Sequence, residues 1–192
     1  GQTAKVHGIK QYKNDRDIRQ PLLNFGRCIV HFTADTDEVY MCTKLDGTNS
    51  FFLPFNKGNN NGKGNPVNPF GHKTSYLWEE IFTRESLATI IQHFVRLDGK
   101  PTDALSKRTL YFPRYHQLEV VRKLLNHAST NGVGQTYLIQ HSAGSGKSNS
   151  ITWAAYQLIE TYPVRDTLPG AKGIQNPLFD SVIVVTDRRL LD

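Results

Sequence analysis

The chain has 192 residues, 38% hydrophobic and 21% charged, with a formal charge of +6. That balance excludes wholesale disorder, and the length suits one ordinary domain or parts of two. No run approaches the roughly 20 apolar residues needed to span a bilayer, and GQTAKVHGIKQYKNDRD at the start carries no apolar segment of secretory type, so the expectation is a cytoplasmic protein with no membrane partner.

Part of the positive excess sits in the first thirty residues, where Lys5, Lys10, Lys13, Arg16, Arg19 and Arg27 face only Asp15 and Asp17. Such a surface attracts polyanions, nucleic acid first among them, although a merely basic solvated face accounts for charge alone. Good helix formers fill residues 3–14. Arg27–Thr33 and Glu38–Thr43, rich in β-branched and aromatic residues, flank Ala34-Asp35-Thr36-Asp37 and predict a β-hairpin. Ser50–Leu53 is a third strand after the turn Asp46-Gly47-Thr48-Asn49. Cys28 and Cys42 lie in this region without CxxC spacing or a matching His pair, which suits two buried, reduced thiols better than a zinc site.

Lys57–Pro69 (KGNNNGKGNPVNP) cannot hold regular structure and reads as a long surface loop or a linker. Leu77, Ile81, Leu87, Ile90, Ile91, Phe94 and Val95 then recur at helical period, predicting one helix over Ser75–Leu97 or two broken near Thr83-Arg84-Glu85-Ser86. Asp98–Thr109 reads as a polar connector. Pro113 suits the first turn of a helix over about Arg114 to His127, with Leu118, Val121, Leu124 and Leu125 on one face. Beyond it, Thr136–Gln140 predicts a strand, Lys147–Tyr162 a helix and Asp180–Thr186 (DSVIVVT) a second strand. Two apolar strands around a helix are the pattern of a parallel sheet covered on both faces. Pro163–Phe179, with three prolines and two glycines, reads as an exposed insertion.

The most informative stretch is YLIQHSAGSGKSNS, Tyr137–Ser150, with Gly144-Ser145-Gly146-Lys147-Ser148 between an expected strand and an expected helix. That context supports a phosphate-binding loop over His141, Ser142, Ala143, Gly144, Ser145, Gly146, Lys147 and Ser148. The two glycines let successive N–H groups turn into one concavity, and the helix start adds its positive end. Lys147 supplies a mobile charge for the β and γ phosphates of ATP, and the Ser148 hydroxyl suits a Mg²⁺ held with them. His141 stands where the general pattern has glycine. A dinucleotide site is excluded, because Asn149 occupies the third glycine position of that fingerprint.

FPRYHQ (Phe112–Gln117), LIQHSAGSGKSNS (Leu138–Ser150) and VVTDRRLLD (Val184–Asp192), together with Val30-His31-Phe32, FLPFNKG (Phe52–Gly58) and Tyr76-Leu77-Trp78-Glu79, carry a resemblance over essentially the whole length. They are similar to the restriction and motor (R) subunits of type I restriction-modification enzymes. The resemblance implies an α/β chain. Residues 1–56 would be the end of an α+β nuclease-like domain of PD-(D/E)xK type, and 57–109 a linker with connecting helix or helices. Residues 110–192 would begin a RecA-like, superfamily 2 parallel sheet. It implies ATP and Mg²⁺ as cofactors, double-stranded DNA as substrate, and modification and specificity subunits as partners. Gln117, thirty residues before Lys147, falls where such motors place an adenine-reading glutamine, with Arg114 or Tyr115 flanking the base. Thr186, Arg188 and Arg189 match a motif that touches the DNA backbone.

Gln11 and Tyr12 resemble the family's helix after the nuclease core, but Gly8 stands where a glutamine is expected. Neither an acid–lysine nuclease core nor an acidic DEAD-type box is found in these residues, so the chain is expected to hold phosphates, to lack endonuclease activity and to hydrolyse ATP poorly. The phosphate-loop strand and the next strand in sequence are not normally neighbours in this class of sheet, so here they are expected to pair directly or through another molecule. A non-catalytic nucleotide- or DNA-binding module, or another superfamily 2 motor, are the competing readings.

Overall fold

The computed structural model describes residues 1–60, 62–164 and 176–186. The chain is mixed α/β and divides into two compact units, Gly1–His116 and Gln117–Asp192.

The first unit opens on a helix built of two π-helical stretches, Ala4–Gly8 and Gln11–Asp15. Thr3 caps it, its hydroxyl accepting from the Val6 N–H. The hairpin follows as expected: β1 (His31–Ala34) pairs antiparallel with β2 (Val39–Cys42), and β2 with β3 (Leu53–Pro54), which begins where the third strand was expected to end. Every residue of β2 is buried, because this central strand has a neighbour on each side. Asp35 locks the turn to the first helix. One carboxylate oxygen accepts from the Asp37 and Glu38 N–H groups at 2.7 and 2.8 Å, and the other from the Ala4 N–H at 2.7 Å.

Phe55, fully buried, anchors an aromatic cluster. Its ring meets Phe32 at 5.2 Å and Tyr115 at 5.8 Å, both edge-on, the geometry that places a ring's positive edge on another's negative face. Residues 57–60 and 62–69 are irregular, as their composition requires, yet they are pinned down: Asn65 accepts from the Lys57 N–H and donates to the Asp37 carbonyl and to Asn56 Oδ1. The expected helical stretch is two pieces, a π-helical turn over Leu77–Ile81 and α1 (Arg84–His93). Thr83 breaks them apart by turning extended (φ −64°, ψ 150°), and its hydroxyl caps α1 through the Ser86 N–H.

The connector holds more than expected. β4 (Arg96–Asp98) and β5 (Thr109–Tyr111) pair antiparallel, and the Arg96 guanidinium lies 4.8 Å from the Tyr111 ring centre. A second correction concerns thiols: Cys42 is buried, and burial pushes it up from its ordinary pKa, whereas Cys28 is only half-buried.

Helix α2 (Tyr115–Asn131) begins two residues after the fully buried Pro113 and buries Leu118, Val121 and Ala128 at helical spacing. Helix α3 (Lys147–Ile159) carries Ser150, Trp153 and Gln157 as its buried stripe. Between and after these helices the expectation fails. Neither Thr136–Gln140 nor Asp180–Thr186 forms a paired strand, and no parallel sheet exists among the described residues. The expected direct pairing of the two segments is therefore absent. Leu138 is 93% exposed and Val185 88%. A strand is stable only when its N–H and C=O groups find a neighbour, and apolar composition does not supply one. Instead Ile139 and Val182–Val185 line a cavity of about 420 Å³ with α2 residues Val120, Val121 and Leu124 and with one face of α3.

Candidate phosphate-binding site

The loop His141–Gly146 leads directly into α3. Gly144 and Gly146 have φ of +71° and +82°, the left-handed region in which only glycine sits without strain. Gly146 is the N-cap residue of α3, and its carbonyl accepts from the Asn149 N–H at 3.1 Å and the Ser150 N–H at 3.4 Å, which leaves the Lys147 and Ser148 N–H groups, one residue into the helix, with no carbonyl a turn earlier inside it. This is the geometry from which an anion nest at a helix N-terminus is made.

Two side chains organise the loop. The Lys147 ammonium folds back and donates to the His141 and Ser142 carbonyls, each at 3.1 Å, while the residue remains exposed. Gln117, at the start of α2, is 3% exposed, and its Nε2 donates to the carbonyls of Gly146 at 2.9 Å and Ser145 at 3.3 Å. A Cβ at position 146 would overlap Gln117 Nε2, so any other residue there displaces the amide as well as straining φ. The Ser145 backbone N–H donates to the Ser142 carbonyl at 3.3 Å, closing the turn, and the residue is buried.

The expected site residues therefore fall into three groups. His141, Ser142, Ala143, Gly144, Ser145, Gly146, Lys147 and Ser148 form one loop and helix start, with Ser142, Ala143, Gly144, Lys147 and Ser148 exposed and His141 half-buried. Gln117 joins this group through the loop backbone, a contact the sequence did not announce. Arg114 belongs to the first unit, where burial lowers its pKa from the ordinary value. Thr186 is exposed, and Arg188 and Arg189 lie outside the described residues.

In the first unit, Tyr12 packs on His31 and Phe52 and donates its hydroxyl to the Phe32 carbonyl at 3.3 Å. Gly8 abuts Thr33, whose hydroxyl lies where a Cβ at position 8 would project, so a larger residue there must displace that hydroxyl.

Among the described residues there is no group of three His, Cys, Asp or Glu able to hold a metal ion, and no helix long and apolar enough to cross a membrane. No family model, no curated protein and no solved structure matches the chain.

Proposed function

We propose that the chain is a nucleotide-binding segment of an ATP-driven DNA motor, of the kind carried by the R subunit of type I restriction enzymes, and that it grips Mg·ATP through His141–Ser148. The observation that carries this reading is the left-handed pair Gly144 and Gly146 heading α3, with the Lys147 ammonium folded over the loop's own carbonyls.

The chemistry follows from those groups. Backbone N–H groups at the start of α3 face an incoming phosphate without a reorganisation cost, and the helix contributes roughly half a positive charge at that end. Lys147 exchanges two neutral carbonyl acceptors for phosphate oxygens, which are the stronger acceptors for a cation. The exposed Ser148 hydroxyl, in the first turn of α3, fits a Mg²⁺ shared with those oxygens, and that ion would neutralise phosphate charge.

The reading extends, through the sequence resemblance, to double-stranded DNA as substrate, to Thr186, Arg188 and Arg189 as backbone contacts, and to modification and specificity subunits as partners. In that reading residues 110–192 begin the first motor lobe and 1–56 end a nuclease-like domain. On the same reading these residues bind ATP without turning it over briskly, since the acidic DEAD-type box is not found among them.

Calorimetric titration with Mg·ATP tests the loop. Lys147→Ala is expected to weaken binding at least about tenfold, the loss of one charge-assisted contact; equal affinity of the variant and the parent would refute the assignment. Hydrolysis measured with and without duplex DNA tests the rest: rapid turnover by these residues alone would overturn the expectation of slow hydrolysis.

A further inference from the structure

The Gln117 amide faces two demands that it cannot meet together. As an adenine reader it would present its N–H and C=O to a base edge. In the structure it is buried, and its N–H donors are spent on the Ser145 and Gly146 carbonyls.

Those carbonyls matter for phosphate. A nest works when successive N–H groups converge and the intervening C=O groups point away, because an inward carbonyl repels an anion. At Gly146 the peptide on its C-terminal side holds the Lys147 N–H at one end and the Gly146 carbonyl at the other. That carbonyl accepts from the Asn149 and Ser150 N–H groups at 3.1 and 3.4 Å and, at 2.9 Å, from Gln117, whose bond adds to the hold on the direction of the N–H across the same planar peptide. The Ser145 carbonyl similarly sets the Gly146 N–H. Gln117 thus grips two consecutive peptides of the loop, and the missing Cβ at Gly146 is what lets it come so close.

We infer that Gln117 is a positioning residue for the phosphate loop, acting on triphosphate affinity through backbone orientation and not through the nucleobase. This rests on the phosphate-binding reading above. It separates from adenine recognition by what the ligand must contain. A base reader affects ATP more than GTP and leaves inorganic tripolyphosphate alone. A loop clamp affects all three to the same degree and affects AMP much less.

The experiment is a set of equilibrium titrations with Mg²⁺ and tripolyphosphate, ATP, GTP or AMP, on the whole chain and on Gln117→Met and Gln117→Glu. Both variants keep the length of the side chain and lose the amide donor; circular dichroism at the titration temperature establishes that each is folded. Expected is a loss of about tenfold, the scale of one to two hydrogen bonds, for tripolyphosphate, ATP and GTP alike. Hydrogen exchange of the backbone over residues 142–150 is expected to accelerate in both variants, a readout that remains if one variant folds poorly. Unchanged tripolyphosphate affinity with altered ATP-over-GTP preference would overturn the inference and return Gln117 to the base. Unaltered exchange in the loop would overturn it as well. Failure of the parent chain to bind tripolyphosphate or ATP would instead remove the phosphate-binding reading, and the inference with it.

Discussion

At the scale of single residues the loop is defined by what cannot be replaced. Gly146 is held to glycine by its φ of +82° and by the Gln117 amide beside it. Gly144 is held by φ alone, with open space where a Cβ would project. The two positions should therefore respond differently to alanine. Gly144→Ala carries only the left-handed penalty, about 1 kcal/mol or somewhat more. Gly146→Ala adds the displacement of a buried amide and the loss of its bonds to two carbonyls, about a further 1–3 kcal/mol. Urea unfolding of the two variants measures the difference, and equal midpoints would show that Gln117 does not press on the loop. The sequence made both glycines legible as loop formers. It could not reveal the second constraint on Gly146, because that comes from a residue 29 positions away in the chain.

At the scale of elements, the hairpin and the first helix share one carboxylate. Burial alone would raise the Asp35 pKa, but the Ala4, Asp37 and Glu38 N–H groups that it accepts from outweigh burial and hold it below its ordinary value of 3.8. A carboxyl whose folded pKa is depressed contributes stability in full above its unfolded pKa and loses it as pH falls through the folded value. The chain should thus lose stability below about pH 3.8 in part through Asp35. Asp35→Asn should show a shallower decline over that range and lower stability at neutral pH; parallel curves for the two proteins would contradict this.

What was legible at this scale follows a physical line. β1 and β2 were readable because His31–Cys42 contains both partners and the turn between them. The break before α1 was readable in Thr83, a capping residue at the end of one apolar period. β4 and β5 were missed: each is three residues long, and the ten residues between them hide the pairing. Thr136–Gln140 and Asp180–Thr186 failed in the opposite sense. Their composition is that of buried parallel strands, but strand formation is a property of pairs, and among the described residues these segments have no strand beside them. The fold is therefore mixed α/β with antiparallel sheets, and the parallel sheet remains a feature of the proposed motor, not of the described residues.

At the scale of the whole molecule, the two units differ in what they bury. The first encloses Val39, Met41, Phe55, Tyr76, Leu77, Ile81, Ile90, Phe94 and Phe112. The apolar core described for the second is Leu118, Val121, Ala128 and Trp153, beside a cavity and several exposed aliphatic side chains. Since burial of apolar surface is the main favourable term in folding, the second unit should be the less stable and should open first. A ligand that binds only its folded form should close that gap, by about 2.7 kcal/mol at a concentration a hundred times its dissociation constant.

Hydrogen exchange resolved along the chain, with and without Mg·ATP, puts the claim that His141–Ser148 holds a nucleotide's phosphates to the most direct test. Protection should rise over residues 141–150 and through α3, and should be much weaker in Lys147→Ala at the same ligand concentration. An exchange pattern indifferent to Mg·ATP, or protection confined to residues 1–116, would contradict the account.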